Sequence, residues 1–234
     1  MNQPSAGFTN YRVLVESVVP VIAAAKGGGV DSTDELIDQF MVRAKTLFEA
    51  KVDSVFRRKL GFSDDAEIAD DLWNTLRSLM KLTRVDWTLF FRQLTMVAAE
   101  FDDYEKDNEE MYEAMLQVVI ADGDVSPFYE PLSPDYRQKY LEWIMTWRQL
   151  LEDVGDEDVA ERMRISNPKY VLREWMLVKA YSDAANGNEE ELQDLYDLIQ
   201  HPYDEGTLDQ QKYYRRTPEE AHMTAGTAFM SCSS

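Results

Sequence analysis

From Asp34 to Arg58 the apolar residues Leu36, Ile37, Phe40, Met41, Ala44, Leu47, Phe48, Val52, Val55 and Phe56 recur every three or four positions. That is the period of one face of an α-helix, and it commits this stretch to packing as an amphipathic helix. Ser32 with Glu35 three residues later has the spacing of a capping box, and Gly61 can supply a left-handed stop. Upstream, Tyr11 to Ala25 also reads as helix with a kink expected at Pro20, and Gly27-Gly28-Gly29 reads as a flexible joint.

The helical pattern continues downstream. A helix from about Asp65 to Lys81 is expected to bury Ile68, Leu72, Leu76, Leu79 and Met80; a second, capped by Asp86 and running to Phe101, turns Leu89, Phe90, Leu94 and Val97 inward. An acidic stretch, Asp102 to Glu113, leads into a helix over Met111 to Ile120, and Asp122 to Pro134 reads as a loop. Pro134 suits the first turn of a helix carrying Tyr140, Leu141, Ile144, Trp147 and Leu151. Asn167-Pro168 breaks the chain before a helix expected from Lys169 to Ala185, with Val171, Leu172, Trp175, Val178 and Tyr181 on its apolar face. Asn186-Gly187 ends it, and Glu189 to Gln200 forms a last helix stopped by His201-Pro202. No fixed-period repeat is present, which argues against a solenoid. The expected fold class is all-α, an irregular multi-helix bundle, divided into residues 1–30 (helix and Gly-rich linker), 31–205 (helical domain) and 206–234 (extended tail).

A chain of 234 residues, 44% of them hydrophobic, has the composition of a folded protein. Its formal charge of -20 opposes binding to nucleic acid or to an anionic membrane. The stretch Val13 to Ala25 carries Glu16 and ends at Lys26, so no membrane span is expected, and the residues before Tyr11 show no secretory signal. Basic residues cluster at Arg57-Arg58-Lys59 and from Arg162 to Arg173; the alternatives are a small anionic partner or solvated helix ends and internal ion pairs.

Recognised chemistry is scarce. Gly27-Gly28-Gly29 lacks the lysine-serine ending of a phosphate loop and the spacing of a dinucleotide fingerprint, and the lysine, catalytic-loop and metal motifs of a kinase are missing. A calcium loop begun at Asp122 would have Pro127 where glycine is needed and Ser133 where glutamate is needed. His201 and His222 are not at ligand spacing, so no metal site is expected, and no catalytic or cofactor-binding residue is assigned. Trp87, Phe90, Phe91, Trp143, Trp147 and Trp175 have the spacing of a packed core. The single cysteine, Cys232, lies in the ending Ser231-Cys232-Ser233-Ser234; with no partner in the chain it is either inert or placed to reach another polypeptide.

Five segments occur in a telling order: Lys59-Leu60-Gly61-Phe62, Asp86-Trp87-Thr88-Leu89-Phe90-Phe91-Arg92-Gln93-Leu94, Asn167-Pro168-Lys169-Tyr170-Val171-Leu172-Arg173, His201-Pro202-Tyr203-Asp204-Glu205 and the Ser-Cys-Ser-Ser ending. With them the chain, from about Asp34 to its end, resembles the C-terminal part of the selenoprotein O family. The resemblance implies the helical C-terminal part of a kinase-like fold, in a protein that transfers AMP from ATP to hydroxyl side chains of proteins, with the nucleotide reversed so that the α-phosphorus is attacked. It implies ATP and magnesium for the full-length protein and none in this chain. The family's catalytic lysine, metal-binding Asp and Asn, and phosphate-contacting arginines lie upstream of anything here. Implied partners are the missing N-terminal kinase-like half and protein substrates. Cys232 falls where family members carry selenocysteine or cysteine, which implies a redox role through a bond to a cysteine of that half. Glu174 stands where relatives commonly have asparagine, and Thr217-Pro218-Glu219-Glu220 replaces a Pro-Pro-x-Trp tail. The implied compartment is mitochondrial in a eukaryote and cytoplasmic in a bacterium, without secretion.

The leading expectation is a helical, regulatory portion of an adenylyltransferase, inactive on its own. Two others stay open: a stand-alone acidic helical interaction module, and a thiol-redox protein using Cys232.

Overall fold

The computed structural model describes residues 3–25, 27, 30–64, 70–100, 108–155 and 158–222. They contain helices α1 (Gln3–Ala25), α2 (Val30–Lys59), α3 (Asp70–Leu82), α4 (Trp87–Ala99), α5 (Glu109–Ile120), α6 (Pro134–Val154), α7 (Val159–Ser166), α8 (Glu174–Ala185), α9 (Glu190–Gln200) and α10 (Glu219–His222). Short 3-10 turns cover Gly123–Val125 and Asp209–Tyr213. Among the described residues the only β pairing is an isolated bridge between Val85 and Phe128, so the chain is all-α as expected. It divides into two compact units, residues 1–56 and 57–234.

In the first unit α1 and α2 form a helical hairpin, with the ring of Phe8 6.0 Å from that of Phe48. Helix α1 begins at Gln3 rather than Tyr11 and continues through Pro20. The earlier start changes one conclusion. Ser5–Ala25, 21 residues, is long and apolar enough by length and composition to cross a membrane, contrary to the expectation drawn from Val13 to Ala25 alone. Its charges, Arg12 and Glu16, pair one turn apart at 2.7 Å, which reduces their combined polarity. Helix α2 starts at Val30, so Ser32 lies inside it rather than at the expected N-cap position. Of the glycine joint, Gly27 is in a turn; Gly28 and Gly29 lie outside the described residues.

The second unit is organised around α4. Nine of its 13 residues are buried, which is the pattern of a helix enclosed on all sides rather than one with a single wet face. Phe90, Phe91, Leu94 and Val97 enter one cluster with Leu76 and Met80 of α3, Met115 and Leu116 of α5, and Tyr140, Trp143, Ile144 and Trp147 of α6. Leu89 joins a second cluster with Tyr170, Met176, Ala180, Leu195, Leu198, Tyr213 and Tyr214. The wider burial of α4 than its predicted face follows from having a core on each side.

The expected cap at Asp86 is present, its side chain accepting from the amide of Leu89, and Pro134 opens α6 as expected; Ser133, not foreseen as a cap, accepts from the amide of Tyr136. Trp143 and Trp147 donate their indole N–H to the carbonyls of Leu72 (2.9 Å) and Leu60 (2.8 Å), so each brings a satisfied polar edge into the core. Of the predicted α3, residues 65–69, including Ile68, lie outside the described residues, as does Phe101.

Two elements differ from expectation. Helix α7 was not foreseen. Helix α8 starts at Glu174, because residues 167–173 run extended: the amides of Lys169 and Tyr170 donate to the carbonyl of Pro202, outcompeting a helical turn. The later start shifts the buried face to Met176 and Ala180 and leaves Tyr181 exposed. Within the expected tail, Tyr213 and Tyr214 are buried in the second cluster.

Helix α2 stops as predicted. Gly61 has φ +88°, the amide of Phe62 donates to the carbonyl of Arg57, and that of Gly61 to Arg58, which is the paired bonding of a Schellman motif. A Cβ on Gly61 would stand 2.6 Å from Cγ1 of Val159. Gly61→Ala therefore carries the left-handed penalty of about 1–2 kcal/mol together with a clash against α7. The expected outcome is a lower urea midpoint with an unchanged m-value, read by tryptophan fluorescence; an unchanged midpoint would remove Gly61 from the account.

Candidate functional site

Four of the five motif segments meet in one buried polar junction. Asn167, 1% exposed at the C-terminus of α7, is its centre. Its amide nitrogen donates to the carbonyl of Lys59 (2.9 Å) and the hydroxyl of Thr95 (3.2 Å), and its side-chain oxygen accepts from Nζ of Lys59 (3.2 Å). Lys59 also donates to the carbonyl of Ser166 (3.0 Å) and lies 5.3 Å from the ring centre of Phe91. Arg92, 3% exposed, donates one nitrogen to the carbonyl of Asn167 (3.3 Å) and another to the carboxylate of Glu205.

Glu205 receives a second cation, Lys169, whose Nζ reaches its carboxylate at 2.8 Å and its carbonyl at 2.9 Å. The hydroxyl of Tyr170 donates to the same carbonyl. Although 74% of its side chain is exposed, Glu205 closes the junction, because Arg92 and Lys169 beneath it are almost wholly covered. The next residue, Gly206, has φ +72°, and a Cβ there would stand 2.6 Å from the hydroxyl of Tyr170. At the N-terminus of α4, Arg173 grips Asp86 with both terminal nitrogens, the second at 2.9 Å, while Asp86 also caps the helix. Arg162 donates to the carbonyl of Gly61 at 2.6 Å.

The charge states follow from these neighbours. Lys59 is surrounded by neutral acceptors, and burial lowers its pKa to about 8. Burial works against ionisation of Glu205, but Lys169 and Arg92 outweigh it and hold the carboxyl below its ordinary value. Burial also opposes the charge on Arg173, and the bonds to Asp86 reverse the balance. Tyr214, with its ring 5.0 Å from Nζ of Lys169, has a hydroxyl without a hydrogen-bond partner, and burial raises its pKa.

Within the basic clusters, Lys59, Arg162, Lys169 and Arg173 are engaged by the chain's own carbonyls and carboxylates. No group of three or more His, Cys, Asp or Glu residues able to hold a metal occurs among the described residues. His201 ends α9 with its side chain exposed. Cys232 lies outside the described residues. Residue type did not reveal Arg92 or Asn167 as buried. The available signals were a continuous Leu89-Phe90-Phe91 run too wide for one stripe, and an Asn-Pro pair read only as a helix break.

The profile of the family described as protein adenylyltransferase SelO matches residues 1–201. This chain belongs to the SelO family. A relative named protein nucleotidyltransferase YdiU from Flavobacterium johnsoniae is 29% identical over 235 residues, covering all of the chain and 41% of the relative. A YdiU from Rhodopirellula baltica is 25% identical over 239 residues, covering all of the chain and 42% of its own length. One from Xanthomonas axonopodis pv. citri is 30% identical over 177 residues, 75% of the chain and 31% of the relative. The chain therefore spans about two fifths of the curated SelO relatives it matches end to end.

Two outcomes are expected for the junction. Asp86→Ala strands a buried guanidinium and removes a helix cap, costing about 3–5 kcal/mol; the double variant Asp86→Ala/Arg173→Met is expected to be more stable than the single one. Urea denaturation of both decides, and a double variant less stable than Asp86→Ala would exclude a stranded charge as the cause. For Lys59, the unfolded chain holds the proton more tightly than the folded chain, so between about pH 8 and the free-lysine value near 10.4 the unfolded state binds more protons and stability rises with pH. The difference in unfolding free energy between wild type and Lys59→Met, measured from pH 7.5 to 9.5, should move in favour of wild type; a flat difference would contradict the lowered pKa.

Proposed function

We propose that this chain is the helical C-terminal portion of a SelO-like protein adenylyltransferase, folded as part of a kinase-like protein, and that it acts structurally. The whole protein would transfer AMP from ATP to hydroxyls of protein side chains. A side-chain oxygen forms the new bond at the α-phosphorus, pyrophosphate leaves, and the hydroxyl proton passes to a base. ATP and magnesium would be held by the portion of the family protein that this chain does not span.

The observation that carries this reading is the use of the motif cations. A phosphate-gripping site needs Lys and Arg donors free to face a ligand. Here Lys59, Arg92, Lys169 and Arg173 spend donors on Ser166, Asn167, Glu205 and Asp86, joining α2, α4, α7 and the segment after α9. That arrangement fixes a scaffold.

Incubated with ATP labelled at the α-phosphate, magnesium and a protein acceptor, the isolated chain is expected to transfer no label. Transfer by the purified chain that is abolished by substituting its own residues would overturn the assignment of a structural role.

A further inference from the structure

The chain after α9 runs back over the second unit as a strap. Between Gln200 and Glu219 it contains no α-helix, only the turn at Asp209–Tyr213. Its far end is tied to the loop that follows α5: the amide of Arg216 donates to the carbonyl of Asp124 (2.8 Å), its guanidinium donates to the carbonyls of Gly123 (3.1 Å) and Phe128, and Arg215 pairs with the carboxylate of Asp124 at 2.7 Å. Midway, Lys212 and Tyr213 reach Glu191 of α9. The closed strap is not fully satisfied, for the hydroxyl of Tyr214 and Nε of Arg215 are buried with no hydrogen-bond partner among the described residues. Lifting the strap returns both to water, which offsets part of what its contacts contribute.

At the near end, Glu205 sits among more donors than one carboxylate can use. Nη2 of Arg92 and Nζ of Lys169 each take one carboxylate oxygen, Nζ of Lys169 also donates to the Glu205 carbonyl, and the hydroxyl of Tyr170 donates to that same carbonyl. Two full positive charges therefore face one negative charge, with no second carboxylate within ion-pairing distance of either cation among the described residues. Arg164 acts on Glu205 and on its neighbour Asp204 from farther away. A covered charge that loses its partner is strongly destabilised, so the seat that Glu205 leaves attracts another anion.

We infer that Arg92, Lys169 and Tyr170 form a binding site for a phosphate group, which Glu205 fills in the closed chain and vacates when the strap of residues 203–217 lifts. The inference goes beyond the proposed transfer activity and does not depend on it. When Glu205 and its carbonyl leave, the donations from all three side chains are released together. A carboxylate offers two oxygens and one charge, whereas a phosphate monoester offers three acceptor oxygens and a charge of about -1.5 to -2 at neutral pH. It is the better match for two cations and a hydroxyl. Because the anion and Glu205 compete for one seat, binding draws the strap open to the extent that the anion prefers the open state.

The test titrates inorganic phosphate and N-acetylphosphoserine amide into the whole chain by calorimetry, at constant ionic strength set with chloride. Glu205→Gln removes the internal anion, and Arg216→Ala loosens the strap at its far end without touching the seat. Each is expected to bind phosphate at least tenfold more tightly than wild type, and adding Lys169→Met should abolish the gain in both. In wild type, phosphate should speed hydrogen exchange at the strap amides of Tyr214 and Arg216 and leave that of Phe90 in α4 unchanged. If Glu205→Gln does not fold, Arg216→Ala decides alone. Equal affinity in wild type and variants, a gain that survives Lys169→Met, acetate binding as tightly as phosphate, or strap exchange indifferent to phosphate would each overturn the inference. A preference between the two probes supports the site either way: for the phosphoserine amide it assigns a phosphorylated polypeptide, for inorganic phosphate a free anion.

Discussion

The second unit depends on Asn167 being simultaneously donor and acceptor. A buried amide has two donors and an acceptor oxygen to satisfy, and leaving any unmet costs more than the net value of making the bond. Asn167 meets this requirement with partners drawn from α2 and α4, and its backbone carbonyl adds Arg92. Because those partners are more than 70 residues distant in sequence, satisfying one side chain ties Lys59, in the last turn of α2, to α4 and the end of α7. An aliphatic residue of similar size would fill the space without specifying the register.

The ionic groups around it divide the work. Arg173 and Asp86 neutralise each other in a fully covered pair, an arrangement that contributes little net stability but tolerates no missing partner. Glu205 differs, since it remains wet while its two cations are dry. It brings the residues after α9 back across α4, and Gly206 lets the backbone pass close to Tyr170. The turn over Asp209–Tyr213 then places Tyr213 and Tyr214 in the second cluster. What looks aperiodic in the sequence after Gln200 is therefore held by individual bonds.

That contrast explains how much was legible beforehand. Helices whose boundaries are local chemistry, such as the Asp86 cap, the Pro134 start and the Gly61 stop, could be read because every determinant lies within a few residues. The all-α class and the aromatic core followed from period alone. The extended run 167–173 could not be read, because its determinant is the carbonyl of Pro202, over 30 residues away. Nor could the burial of Arg92, since its counter-charge lies in a segment without periodicity. The membrane-length character of α1 was missed for a simpler reason: the helix was begun eight residues too late, and its apolar window was cut short.

The two units thus stand in different relations to their own sequences. Residues 57–222 enclose two apolar clusters and pair most of their buried polar groups, so their fold is accounted for by contacts inside the unit. In the α1–α2 hairpin, α1 buries Val15, Val19 and Ala23, while α2 buries nothing from Thr33 onward although its apolar residues recur at helical spacing. A sequence pattern specifies that a face be covered without naming the cover. In the second unit that cover is supplied by the chain's own helices, which close both apolar clusters.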